Sequence, residues 1–107
     1  MYIREIKDEN SFVEAVTHNQ NAVLVMFSQD GSSLCKKIEE VLENISKERP
    51  DLKVFKVDIK SVVSLASRYM VTTPPAIIAF RGGRPREKVI GLVSKKEIER
   101  LIQRQFS

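Results

Sequence analysis

The chain has one cysteine and one histidine among its 107 residues, no tryptophan, and only four glycines and four prolines. A single cysteine permits no internal disulfide and fits a reducing compartment. Nor can Cys35 alone supply the three or four ligands that zinc requires, so no metal site is expected. His18 has no Cys, Asp or second His beside it in sequence, which leaves it as a helix-end residue where a cation complements the dipole. No apolar run approaches the roughly 20 residues needed to cross a bilayer. The opening MYIREIKDEN has no apolar segment of signal-peptide length, so a cytoplasmic protein is expected, with no membrane partner. Internal repeats, linkers and low-complexity segments are lacking too, and the length fits a single domain over 1–107.

What is present is an ordinary globular composition, 42% apolar and 30% charged. The net charge of +4 is unevenly spread. Residues 81–107 hold eight Lys/Arg against three Asp/Glu, whereas residues 1–80 hold ten against eleven. Such a basic end could draw nucleic acid or an acidic partner. Without aromatic residues interleaved among the charges for base stacking, it reads as a solvated face, and nucleic acid is not an expected partner.

The central stretch is Val23-Leu24-Val25-Met26-Phe27, a continuous apolar run of the kind covered on both faces in a sheet. It breaks at Ser28-Gln29-Asp30-Gly31 and enters a helix near Ser32 or Ser33, with apolar positions at Leu34, Ile38, Val41, Leu42 and Ile45. A strand running through a loop into a helix N-terminus presents unpaired N–H groups and a dipole that favours negative charge. Before this stretch, residues 2–6 predict a strand, and Ser11-Phe12-Val13-Glu14 has the Ser-x-x-Glu spacing of a capping box for a helix over about 12–18. After it, a strand over 53–59 is followed by a short helix within 61–69. Thr72-Thr73-Pro74-Pro75 is a stiff loop, because each proline fixes φ and removes a donor. Ala76 to Phe80 predicts a strand, Gly82-Gly83 a tight turn, and Glu87 to Ile90 its antiparallel return. A second capping box, Ser94-Lys95-Lys96-Glu97, opens a last helix with Ile98, Leu101, Ile102 and Phe106 inward. The order β-α-β-α-β-α-β-β-α implies an α/β fold, a central mixed sheet with helices on both faces. Sites in such sheets form at the C-terminal strand ends, where residues 28–32 fall and where Pro75 is expected beside Cys35.

These features together resemble the thioredoxin family over roughly Ser11 to Phe106. The resemblance rests on the element order, the apolar strand leading to a cysteine at the head of a long helix, Thr73-Pro74-Pro75-Ala76, and the glycines of Arg81-Gly82-Gly83 and Gly91. Gly31-Ser32-Ser33-Leu34-Cys35 stands where the family has Trp-Cys-Gly-Pro-Cys. The resemblance therefore implies that Ser32 occupies the position of the nucleophilic cysteine and that Cys35, the resolving position, is the single candidate thiol. It places the family's cis-proline on Pro75, its buried acid on Met26, and its flanking tryptophans on Ser28 and Gly31. Lys56 matches a lysine often found near that acid. Gly31, Ser33, Leu34, Thr73, Pro74 and Pro75 become candidate substrate-binding residues, and no cofactor is implied.

A dithiol cycle within this chain is chemically excluded, and Ser32 reads as a helix cap, since serine is among the best N-cap residues. Cys35 has two readings. As a packed thiol it behaves as a small hydrophobe; as a first-turn thiol it could be activated by the dipole and form mixed disulfides. Two functions follow. One is thiol–disulfide exchange through Cys35 with protein or small-molecule thiols and disulfides. The other is a non-catalytic module that binds an extended peptide in the same groove by strand addition.

Overall fold

A computed structural model describes residues 2–106. Five strands form one sheet: β1 Ile3–Ile6, β2 Ala22–Ser28, β3 Val54–Asp58, β4 Ala76–Arg81 and β5 Arg84–Ile90. Their spatial order is β1-β3-β2-β4-β5. The three strands from the βα units run parallel, β4 pairs antiparallel with β2, and β5 pairs antiparallel with β4. Between the strands lie α1 (Glu9–Phe12, continued by a π-helical turn Val13–Thr17), α2 (Ser33–Glu48), α3 (Val63–Arg68) and α4 (Lys95–Phe106). The element order is the one expected from the sequence.

Strand alternation explains why β2 can be apolar throughout. Successive side chains point to opposite faces, and all seven residues of β2 are buried. Leu24 and Met26 join Ile38, Leu42 and Ile45 of α2 and Ile98, Leu101 and Ile102 of α4 in one core. Val23, Val25 and Phe27 join Phe12, Val16, Leu65 and Ala66 of α1 and α3 in the other. The sheet is thus clad on both sides, and β2 is central because each neighbour covers one of its edges.

Two boundaries differ by three residues from the sequence expectation. The first helix starts three residues early, at Glu9, and its cap is Asp8, whose carboxylate accepts the Ser11 N–H at 2.7 Å. Ser11 is therefore inside the helix and is not its cap. Phe12 and Val16 of this segment are fully buried, while Glu14, the other half of the expected capping box, is exposed. Strand β5 begins at Arg84, ahead of the expected Glu87. Its first residues carry charge and a proline, which hide a strand in sequence. At the edge of a sheet, however, a missing N–H is tolerated and charge is favoured. The second capping box forms as read: the Glu97 N–H donates to Ser94 Oγ at 3.1 Å, and Ser94 N–H to Glu97 Oε1 at 3.3 Å.

Candidate functional site

The site is built where β2 runs out into α2. Ser32 has an extended backbone, φ −81° and ψ 120°, and its Oγ accepts the Cys35 N–H at 3.2 Å. It is the N-cap of a 16-residue helix, engaged with one of the free N–H groups of the first turn. No histidine reaches it. The first helical segment ends beside the Gly82–Gly83 turn, where Ala22 pairs with Arg81 at the other end of β2, and it carries the exposed His18 there.

Cys35 is only 3% exposed and belongs to the α2 core with Met26, Ile38 and Ile77. It nevertheless lines a cleft of about 920 Å³ that runs from the head of α2 along the helix to Lys47, shared with Ser28, Asp30, Ser32, Glu39 and Lys56. Gly31 and Ser33 are exposed, and Leu34 is a partly exposed apolar side chain on the helix head. The Thr73-Pro74-Pro75 segment reaches the same end of the sheet, since β4 starts with Ala76 opposite Phe27. The Pro74–Pro75 peptide bond is cis. The Pro75 carbonyl accepts the Gly91 N–H at 2.8 Å, which ties the exposed Ile90 and Leu92 to this loop. Leu34, Ile90 and Leu92 therefore add apolar surface at the same end as Cys35 and Pro75.

Beneath the cleft, Met26 is fully buried, with Lys56 opposite it on β3 and Ile77 opposite it on β4. No acid occupies that strand position. A carboxylate is found instead on α2: Lys56 Nζ lies 3.3 Å from both oxygens of Glu39. Sequence reading identified Lys56 but missed Glu39, whose only signal is its place four residues after Cys35, on the same helix face.

Asp58 was also missed. It ends β3 opposite Ser28 and is 4% exposed. Its carboxylate accepts N–H groups from Asp30 at 3.2 Å and Lys60 at 2.8 Å, so it anchors the loop leading into α2. Burial alone would raise this carboxyl, but the backbone donors of Lys60 and Asp30 outweigh it and hold it below the ordinary value of 3.8. A folded-state value below the unfolded one gives stability that is present above about pH 4 and lost as pH falls through the folded value. Asp58→Asn is expected to lower the unfolding free energy at pH 7 by about 2 kcal/mol, the scale of hydrogen bonds to a charged group. It should also flatten the acid limb of stability below pH 4. Urea unfolding at pH 7 and pH 3 checks both, and equal losses at the two pH values would remove the carboxylate from this role.

Among the described residues no helix is long and apolar enough to cross a membrane. The thioredoxin family model matches residues 3–104. The thioredoxin of Chlamydia trachomatis is 29% identical over 100 residues, covering 94% of this chain and 96% of that protein. The thioredoxin of Mycobacterium bovis is 33% identical over 91 residues, 84% of this chain and 78% of that protein. Among solved structures, a mutant thioredoxin from Halobacterium salinarum superposes with a TM-score of 0.88 at 27% identity, covering 98% of this chain and 91% of that one. With that match running nearly end to end over the strand, helix and loop that build the cleft, the chain belongs to the thioredoxin family.

Proposed function

We propose that this protein is a one-thiol member of the family, acting in a reducing cytoplasm, that docks an extended peptide or a small disulfide at the cleft and links to it through Cys35. The observation that carries this reading is that the chain's only thiol lines the cleft, while the hydroxyl at the nucleophile position is engaged as a helix cap. Cys35 loses its proton to solvent, and the thiolate attacks a partner disulfide R–S–S–R′. The partner S–S bond breaks, R′–S⁻ leaves and takes up a proton, and Cys35–S–S–R remains. With no second thiol in the chain to resolve it, the adduct persists until an external low-molecular thiol reduces it. Gly31 and Ser33 line the cleft; Leu34, Thr73, Pro74 and Pro75 lie outside its lining and would meet the partner where it extends past the cleft at the same end of the sheet.

The 3% exposure of Cys35 favours a second reading, a module that holds the peptide without chemistry. Oxidised glutathione separates the two. Incubation followed by intact-mass measurement is expected to show one adduct per chain, reversed by dithiothreitol and missing in Cys35→Ser. Failure to form any adduct, with peptide affinity kept in Cys35→Ser, would leave the non-covalent module as the function.

A further inference from the structure

The sheet has two edge strands, and they are built differently. β5 carries Pro85, a register shift beside Ala79 and Phe80, and the exposed cations Arg84, Arg86 and Lys88. Those are the devices that keep an edge from pairing with another chain. β1 has no proline and no bulge, and its one cation, Arg4, is followed by Glu5. It runs in unbroken parallel register with β3, from Ile3 opposite Val54 to Ile6 opposite Val57. Among the described residues no strand pairs with its other side, so alternate residues turn N–H and C=O groups outward as free donors and acceptors. A cleft of about 690 Å³ opens beside this edge and shares no residue with the cleft that holds Cys35.

Arg4 and Phe55, both in the lining, are directly opposite in register and so share one face of the sheet. Lys53, two residues before Phe55, lies on that face too. Arg4 and Lys53 are exposed, and neither belongs to an ion pair among the described residues. The carboxylates of the cleft, Asp8 and Glu14, come from the first helical segment and its cap. Ser46 lines the cleft as well; it is 2% exposed, and its Oγ is buried without a hydrogen-bond partner. A buried orphan hydroxyl calls for a missing partner. We infer that β1 is a docking edge for an extended peptide segment, which adds a strand beside Ile3–Ile6 and lays an aromatic side chain in this cleft. Backbone pairing supplies the affinity of such a contact, and the pocket beside it supplies the selectivity. An acidic side chain there would meet Asp8 and Glu14, and a basic one Arg4 and Lys53. A neutral ring meets neither penalty: its edge suits Phe55, and its face suits the two cations. A second copy of this chain fits poorly. Two-fold antiparallel pairing over most of β1 sets the Arg4 residues of the two copies, or their Glu5 residues, directly opposite, and like charges so placed are destabilising.

The chain has no tryptophan, so the peptide acetyl-Thr-Val-Trp-Val-Thr-amide reports its own binding. Its emission is expected to shift to the blue and to saturate as protein is added. Two N-methylated forms, one on the odd residues and one on the even, should differ about tenfold in affinity, because only one set carries the amides that face β1. Arg4→Ala should weaken the parent peptide about fivefold through loss of the cation at the ring face, and urea unfolding verifies that the variant is folded. Amide shifts in an NMR titration should concentrate in residues 3–6 and 53–55. The inference is overturned by an emission that never saturates, by equal affinities of the two methylated forms, or by unchanged affinity in Arg4→Ala. Amide shifts confined to residues 28–36 would move the peptide to the Cys35 cleft and overturn it as well. A sedimenting dimer that the peptide dissociates would make a second copy the occupant of the edge, against the assignment made here.

Discussion

Replacing Ser32 with cysteine is expected to turn a chain without dithiol turnover into a disulfide reductase. The cap geometry explains why one atom should suffice. Ser32 Oγ already lies 3.2 Å from the Cys35 N–H, at the positive end of a 16-residue helix, which is where a thiolate gains most from free N–H groups and the macrodipole. A thiol there with a value near 7 would be about sixteenfold more ionised at pH 7 than free cysteine at 8.5. The introduced thiolate would attack a substrate disulfide, and Cys35 would then displace the substrate sulfur. The chain would be left with an internal disulfide and the substrate with two thiols. With dithiothreitol to return the chain to its dithiol form, reduction of a disulfide-bonded test peptide should rise from the parent's background to sustained turnover. Loss of the serine cap should cost about 1 kcal/mol of stability, small enough to leave the variant folded. A variant that forms the internal disulfide and still fails to turn over would place the deficit deeper, with the fully buried Met26 as the first residue to restore to an acid.

That experiment also asks how much of a site lives in its scaffold. The strand-to-helix transition was legible because two local signals coincide there: an uninterrupted apolar run and a serine at a helix start. The last helix was legible for the same kind of reason, since Ser94 and Glu97 satisfy each other within one turn. Both misplaced boundaries arose where local signals competed. Asp8 and Ser11 are each good caps, and in the fold it is Asp8 that accepts the Ser11 N–H and caps the helix. Arg84-Pro85-Arg86 reads as loop until the chain is seen to be a sheet edge. Glu39 and Asp58 were invisible for a different reason. Glu39 meets a lysine 17 residues away and Asp58 a loop N–H 28 residues away, contacts that no spacing rule in a single sequence supplies; only the Asp58 contact with the Lys60 N–H is local.

Gly83→Ala is expected to destabilise the protein by about 3–4 kcal/mol, combining left-handed backbone strain with a backbone clash. The hairpin between β4 and β5 closes through two residues only, Gly82 at φ +60° and Gly83 at φ +78°. Positive φ at both is what a type I′ turn demands and what lets the strands keep their twist. The two positions are not equivalent. A Cβ at Gly82 would meet nothing within 4 Å, whereas one at Gly83 would lie 2.3 Å from the Thr17 carbonyl oxygen and 3.1 Å from the Thr17 carbonyl carbon. Those atoms are backbone at the end of the first helical segment, so relief requires moving that segment off the hairpin. The movement would also strain the aromatic packing that joins the same elements, where Phe12 stacks edge-on against Phe80 at 5.7 Å. Gly82→Ala should cost only the conformational strain, about 1 kcal/mol. For a domain whose whole stability is of the order of 5–15 kcal/mol, the difference separates a folded protein from one that samples its unfolded state appreciably. Urea unfolding midpoints of the two variants measure it directly. Equal losses would mean that the close approach to Thr17 carries no weight and that the turn conformation alone accounts for both glycines.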